Sequence, residues 1–383
     1  METKDNSRDR CDTGTNDNTR IRVLFVISDL SGGGAERAVS TYLHYLDRNR
    51  FEPGLCLWRN IFAYDVPEDV PVWVMNKNKP WHAPRTVWRT SRLINRWKPD
   101  VVLSFLAYVN LLTGLAVKVC AGHPGWMPVV RNNPMTSNKR LSNWLWTRLN
   151  NTWKMVGVIS TGMSDSMVSN YKVPREKIIN LDNPVDFSRI DISIQTNPIE
   201  QTQRFTIVTM GRLVEQKDHV TLLKAVASVA KTHSIRVVIM GDGPLRHKLE
   251  TLAQELGINN LVEFWGFIQH PFPYIAAADL FVLSSKWEGF GKVLAEAMGC
   301  GTAVISTDCP YGPNEIIENG RSGLLVPVGD PEGLAEAITR LLDDPELRNR
   351  LATEGRSRVR EIYNAQKCTQ LLEKSLEHKV YKG

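Results

Sequence analysis

Short apolar runs rich in β-branched residues alternate with helix-period segments along most of this chain, and no other feature of the sequence restricts the fold as strongly. Residues 21–27 (IRVLFVI), 72–75, 101–104, 127–130 and 155–159 read as buried strands, each followed by polar or helical sequence. From Asn183-Pro184 to about Arg204 the periodicity lapses into Pro, Asp, Gln and Thr. It then resumes with strands at 205–210, 235–240, 261–265, 280–284 and 302–306. Helical patterns at 35–46, 218–231, 244–256, 292–298 and 331–342 stand between strands. Strands joined by helices build parallel sheets. The 383 residues also exceed the roughly 250–300 that one hydrophobic core supports. We therefore expect an α/β protein of two doubly wound parallel-sheet domains, 21–185 and 205–362, joined by a linker at 186–204. Open parallel sheets bind ligands at the carboxyl ends of their strands, so two facing domains imply a cleft. Residues 363–383 carry an amphipathic helix expected to return to the first domain. Residues 1–20 read as a flexible polar tail.

Several classes are excluded by composition. Apolar residues make up 42% and charged residues 23%, which does not fit a disordered or fibrous chain. Six cysteines (Cys11, Cys56, Cys120, Cys300, Cys309, Cys368) are scattered with no CxxC pair. That pattern points to reduced thiols in a cytoplasmic compartment, and away from a disulfide framework or a zinc site. The polar tail has no apolar run of signal-peptide length. The charge-free run 101–117 falls short of the about 20 residues a spanning helix needs, and Ser104, Tyr108, Asn110 and Thr113 interrupt it. It reads instead as a buried strand followed by a core helix from about Asn110. Net charge divides unevenly: residues 1–195 hold 26 Lys/Arg against 18 Asp/Glu (+8), and residues 196–383 hold 21 against 23 (−2), summing to +6. A basic half suits phosphates, anionic lipid or nucleic acid. No nucleic-acid reader motif supports the last.

The segment 285–298 (SKWEGFGKVLAEAM) is the richest in chemistry. A strand ends, a turn bracketed by Gly289 and Gly291 follows, and a helix begins whose free amides and positive dipole end suit an anion. Glu288 lies in the turn, where it can reach a group just beyond bound phosphates. Glu296 lies one to two turns into the helix, where it can accept hydrogen bonds from a diol such as a ribose. Upstream, Arg212 and Lys217 follow the end of another strand in 210–217 (MGRLVEQK). A guanidinium and a compact ammonium there can neutralise a diphosphate without a metal. On the N-terminal side, 31–37 (SGGGAER) follows a strand and opens a helix; its glycines are consecutive, so it is not a dinucleotide-binding GxGxxG loop.

Residues 211–217, 240–244 (MGDGP), 288–296, 312–316 (GPNEI) and 323–327 (GLLVP) resemble the retaining family 4 glycosyltransferases of GT-B fold. The resemblance extends from about Arg22 to Leu376, with 288–296 its most specific part. It implies two Rossmann-like domains facing a cleft, with the acceptor on the first and a nucleotide-sugar on the second. Arg212 and Lys217 would grip the diphosphate and Glu296 the ribose. Glu288, with the amides of Phe290 and Gly291, would face the donor sugar, and the Gly266-Phe267 segment would meet the base. Gly33 and Gly34 belong to the glycine loop, and Arg131 and Asn132 to a segment facing the cleft. Relatives usually carry Glu where this chain has Val130, so a base role for that Glu does not transfer. His82 and His123 sit in Pro/Gly-rich loops typical of solvated residues. Whether Glu288 stabilises charge or positions sugar hydroxyls stays open, and retention of anomeric configuration is implied by the resemblance alone.

The implied reaction moves a hexose or N-acetylhexosamine to a glycan or lipid-linked saccharide, with no metal or other cofactor, in making cell-surface polysaccharide. Two basic aromatic segments bear on location. Arg85, Arg89, Arg92 and Arg96 recur on one helix face with Trp88 and Trp97 nearby, and 139–154 carries Lys139, Arg140, Trp144, Trp146, Arg148 and Trp153. These are either solvated faces with core tryptophans or peripheral contacts with an anionic membrane, such as the inner face of the plasma membrane. A nucleotide-sugar epimerase of similar architecture and a catalytically silent glycan-binding protein are the rival readings. The first would need a dedicated acid–base pair, which the sequence does not offer.

Overall fold

The computed structural model describes residues 20–77, 79–131 and 155–377. Residues 1–19 of the tail, Asn132 and the second basic aromatic segment lie outside the described residues. Two all-parallel sheets form the architecture. The first contains β1 (Ile21–Ile27), β2 (Phe51–Leu57), β3 (Val72–Val74), β4 (Val101–Phe105), β5 (Gly125–Val130), β6 (Val156–Val158) and β7 (Ile178–Asn180), in the order β3-β2-β1-β4-β5-β6-β7. The second contains β8 (Phe205–Met210), β9 (Ile235–Met240), β10 (Val262–Gly266), β11 (Leu280–Leu283), β12 (Ala303–Thr307) and β13 (Leu324–Val326), in the order β10-β9-β8-β11-β12-β13. In each sheet the strand order reverses beside the first strand, between β1 and β4 and between β8 and β11. Crevices for ligands open at such switch points, beyond the carboxyl ends of the strands.

The central strands read as unbroken apolar runs because helices cover both faces of a parallel sheet. Val23 through Ile27 are fully buried, and Ile207, Val237, Ile239 and Phe281 are buried likewise. One apolar cluster runs through the first domain into the facing side of the second, including Phe281, Phe290, Leu294 and Met298, while a separate cluster fills the far side of the second sheet.

β2 departs from the sequence pattern, since FEPGLCL holds a proline and a glycine. A β-carbon at Gly54 would sit 2.8 Å from the ring of Trp73 and 3.0 Å from that of Trp97, so glycine there admits two indoles against the sheet. The helix Pro345–Ile362 was also hidden, being strongly polar. Its buried residues Leu347, Leu351, Gly355 and Val359 recur every fourth position, and Asp344 caps it by accepting the Leu347 amide at 2.9 Å.

The stretch 186–204, read as a linker, is not irregular throughout. Asp186 caps a helix, Phe187–Thr196, by accepting the Arg189 amide at 3.0 Å, and Phe187 and Ile190 bury against the helix Lys292–Cys300 and its neighbours. The two chain crossings meet beside it. Val185 donates to the Tyr363 carbonyl at 2.8 Å, and Ala365 donates to the Val185 carbonyl at 3.1 Å. The helix Ala365–Ser375 then packs against the helix Gly34–Tyr45 of the first domain. Its Glu373 accepts the Asp47 amide at 2.8 Å and pairs with Arg50 at 3.3 Å.

The run 101–117 is β4 followed by the helix Ala107–Lys118, which starts slightly earlier than its polar Asn110 suggested. Among the described residues no helix is long and apolar enough to cross a membrane. The four arginines lie on the helix Ala83–Trp97, whose buried side is Thr86, Thr90, Ser91, Leu93 and Ile94. Trp88 is not a core residue: it is 58% exposed, with Arg92 over its ring, and Trp81 nearby is 70% exposed.

Candidate active site

Loops after β8, β9 and β11 make the second domain's wall of the cleft. Gly211 donates to the Met240 carbonyl and Leu213 to the Asp242 carbonyl, each at 2.9 Å, so the β8 and β9 loops are zipped together. Gly241, at φ +147°, permits this approach: a β-carbon would fall 1.9 Å from the Gly211 carbonyl oxygen. The β8 loop is then tied to the β11 loop. Gln216 donates through Nε2 to the Trp287 carbonyl at 2.9 Å and accepts the Lys286 amide at 2.8 Å.

These ties bring Lys217 and Glu288 into contact. Lys217 Nζ donates to Glu288 Oε1 at 2.5 Å, and Ser285 Oγ donates to the same oxygen at 2.6 Å. The side chains are only 15% and 8% exposed. The Arg212 side chain on the same loop is exposed and, among the described residues, makes no hydrogen bond or ion pair. His219, behind Lys217, is buried, and that burial, reinforced by the lysine, pushes its imidazole down to about 4. It is neutral at physiological pH.

The helix Lys292–Cys300 begins at Gly291, which takes φ +85° as N-cap without any side chain capping the first amides. The Phe290 ring turns away into the core and meets the Tyr363 ring edge-on at 4.9 Å, so only its backbone can face a ligand. One turn in, Glu296 is buried. Its Oε1 pairs with Arg37 of the first domain at 2.6 Å, while its Oε2 has no partner among the described residues. Lys292, also buried, has an unpartnered Nζ. Burial pushes that ammonium down to about 7, a shift that Glu296 opposes and Arg37 and Arg131 reinforce.

The first domain supplies the opposite wall. Gly33 caps the helix Gly34–Tyr45, and a β-carbon at Gly34 would lie 3.7 Å from Lys292 Cβ. Gly32 packs under Phe267, where a β-carbon would lie 3.3 Å from the ring, yet that ring remains 61% exposed. Arg131, expected to face the cleft, is buried instead. It donates to the Gly34 carbonyl at 3.2 Å and to Asn183 Oδ1, bracing the glycine loop from behind. Glu36 is raised from its ordinary value by burial, against the pull of its own backbone amide, Arg131 and, from across the cleft, Arg212. Lower down, Glu315 of the second domain accepts the amides of Thr161 and Gly162 at 3.0 and 3.1 Å, capping a helix of the first. His82 and His123 lie outside this constellation. Among the described residues no three His, Cys, Asp or Glu side chains gather as a metal site.

The structure thus assembles Arg212, Lys217, Glu288, Gly289, Gly291, Glu296 and Phe267 around one cleft, with Gly33 and Gly34 opposite. Sequence reasoning assigned no role to Arg37, Lys292 or Ser285. Lys292 and Glu296 share a helix face by their i, i+4 spacing, which was readable. Nothing local pairs Arg37 with Glu296.

A cleft between two parallel-sheet domains, with cations and an uncapped helix start opposite a glycine loop, defines a GT-B type group-transfer enzyme. Comparison with known proteins gives the family. The profile described as Glycosyl transferases group 1 matches residues 192–358, and that described as Glycosyltransferase Family 4 matches residues 32–189. The chain belongs to this glycosyltransferase family. It is similar to the Campylobacter jejuni N-acetylgalactosamine-N,N'-diacetylbacillosaminyl-diphospho-undecaprenol 4-alpha-N-acetylgalactosaminyltransferase, with 28% identity over 355 residues covering 88% of this chain and 94% of that one. It also matches the Rhizobium meliloti lipopolysaccharide core biosynthesis glycosyltransferase LpsE, 40% identical over 149 residues, which is 39% of this chain and 43% of that one. Among solved structures, Anabaena HepE in complex with UDP-glucose aligns with a TM-score of 0.77 at 20% identity, covering 94% of this chain and 100% of that one. A Thermosynechococcus elongatus sucrose-phosphate synthase aligns at 0.80 with 18% identity, covering 94% and 98%. These structural likenesses establish the GT-B fold.

Proposed function

We propose that this glycosyltransferase moves a hexose or N-acetylhexosamine from a nucleotide-sugar to a lipid-linked saccharide with retention, in building a cell-surface glycan. The observation that carries the reading is the convergence of Arg212, the Lys217–Glu288 pair and the uncapped helix start at Gly291. When the bond between the sugar's anomeric carbon and the phosphate oxygen breaks, its electron pair goes to the diphosphate. Arg212, Lys217 and the helix amides are preorganised where that negative charge grows. Glu288 lies beside the sugar, where its carboxylate offsets positive charge at the anomeric carbon. Retention requires the acceptor hydroxyl to enter on the face the diphosphate leaves, and the departing phosphate oxygen is the nearest base for its proton. No metal enters this scheme, because side-chain cations and amides carry the neutralisation.

Glu296 would hold the nucleotide's ribose, and its free Oε2 supports that role. The Campylobacter relative's name specifies a diphospho-undecaprenol acceptor and alpha-N-acetylgalactosaminyl transfer, and HepE was solved with UDP-glucose. Both favour a uridine donor and a lipid-linked acceptor. The exposed Trp81 and Trp88 with Lys79, Arg85, Arg92 and Arg96 suit peripheral contact with the anionic leaflet that carries such an acceptor. The test is to incubate the enzyme with a panel of UDP-sugars and undecaprenyl-diphosphate-linked saccharides, and to assign the new anomeric centre by NMR. Transfer with an inverted centre would refute retention. Conversion of the donor to its epimer without transfer would refute the whole reading.

A further inference from the structure

Arg37 stands one turn past Gly33 on the helix Gly34–Tyr45 and crosses the seam between the domains to reach Glu296 Oε1. Its guanidinium lies 5.1 Å from the ring centroid of Tyr64, from its own domain, and 5.6 Å from that of Phe272, from the other. The two rings flank the guanidinium, and their faces favour a cation at that point. Only one carboxylate oxygen is used. Among the described residues Glu296 Oε2 is buried without a partner, as is Lys292 Nζ one turn earlier on the same helix. A buried acceptor without a hydrogen bond is costly, and native folds keep one chiefly where something outside the chain supplies the donor. A carboxylate held by one oxygen has its remaining lone pairs fixed in direction.

We infer that Arg37 is a positioning residue for donor binding: it fixes one oxygen of Glu296 so that the other is aimed at the hydroxyls of the nucleotide's ribose. This inference rests on the donor-site reading above. It adds that the donor pocket is completed from the acceptor-side domain, through the helix that the glycine loop opens. Arg37 acts through Glu296 and does not touch the reacting atoms. Separating the domains would therefore release Glu296 and loosen the nucleotide.

The experiment is a double-mutant cycle on nucleotide affinity. Calorimetry with UDP, GDP, CDP and ADP identifies the nucleotide that wild type binds most tightly. Its Kd is then measured for Arg37→Met, Arg37→Lys, Glu296→Gln and the double variant Arg37→Met/Glu296→Gln. Arg37→Met is expected to raise Kd by about tenfold, one decade of affinity. Arg37→Lys should recover part of the loss, because an ammonium between the same rings still reaches one oxygen. In the Glu296→Gln background, Arg37→Met should change Kd by less than about twofold, since the coupled residue is gone. Wild-type affinity in Arg37→Met, or an undiminished loss in the double variant, overturns the inference. Should Arg37→Met not melt cooperatively, Arg37→Gln takes its place in the same cycle. If Glu296→Gln and Lys217→Met both bind as wild type does, or wild type binds none of the nucleotides, the donor-site reading itself falls. If those two weaken binding and the Arg37 variants do not, only the role of Arg37 falls.

Discussion

Replacing Lys217 with methionine tests the centre of the proposed chemistry, because two separable effects follow from one contact. At 2.5 Å, and with only 15% and 8% exposure, the Lys217–Glu288 pair lies between surface and interior conditions. An effective dielectric of about 20 makes the gross attraction about 7 kcal/mol, most of it offset by the desolvation of both ions. Removing one partner of a buried pair leaves the other stranded, at a cost of about 3–5 kcal/mol. Ser285 still donates to Glu288 at 2.6 Å, so the lower end, about 3 kcal/mol, is expected. In a domain of this size that lowers Tm by about 6–12 °C. Catalysis loses more specifically: a missing preorganised charge at the departing diphosphate lowers kcat by about 100- to 1,000-fold. The double variant Lys217→Met/Glu288→Gln removes the stranded charge, so it should regain most of the melting temperature and none of the turnover. Calorimetric melts and radiolabelled sugar transfer read the two effects. Turnover of Lys217→Met within threefold of wild type, or a double variant as unstable as the single, would refute the reasoning.

Three further outcomes follow from other parts of the molecule. Gly241→Ala places a β-carbon against the Gly211 carbonyl at a left-handed φ, which should cost about 1–3 kcal/mol in strain and weaken nucleotide binding with it, as thermal melts with and without UDP would show. Lys292 binds its proton less tightly folded, near 7, than unfolded, so the unfolded chain holds more protons between about pH 7 and 10.5 and wild-type stability should rise with pH there. Lys292→Met should therefore raise Tm most at pH 6–7, the gain shrinking toward pH 10; a gain independent of pH would show that the ammonium is not buried as described. Trp88→Ser with Arg92→Ser should weaken cosedimentation with phosphatidylglycerol vesicles at low salt and spare uncharged ones, and unchanged sedimentation would remove this helix from any membrane contact.

How much was legible depended on whether a segment's surroundings are written in its own residues. β1, β8 and β9 were readable to the residue, because strands covered on both faces must be apolar throughout and end where polar loops begin. The turn into Gly291 was readable for a similar reason, since a helix start at a left-handed φ demands glycine, whereas the charges of Arg212, Lys217, Glu288 and Glu296 were readable only as chemistry along the chain. β2 was not, because Gly54 makes sense only once Trp73 and Trp97 pack against it. The helices Phe187–Thr196 and Pro345–Ile362 were not either, because their apolar stripes are narrow and owe their burial to the helix Lys292–Cys300 and the elements beside it.

The two series of strands, the uncapped helix start and the charges beside it are written in the residues themselves. Which charges meet depends on long-range packing. Lys217 reaches Glu288 because two loops at adjacent strand ends are hydrogen-bonded together, and Arg131 turns inward because Asn183 and the Gly34 carbonyl claim it. Arg37 meets Glu296 because the chain crosses twice between domains and returns its last helix to the first. A short stretch of sequence reports the chemistry of a side chain, but long-range packing sets its distance to a partner, and at close range that distance governs electrostatic strength.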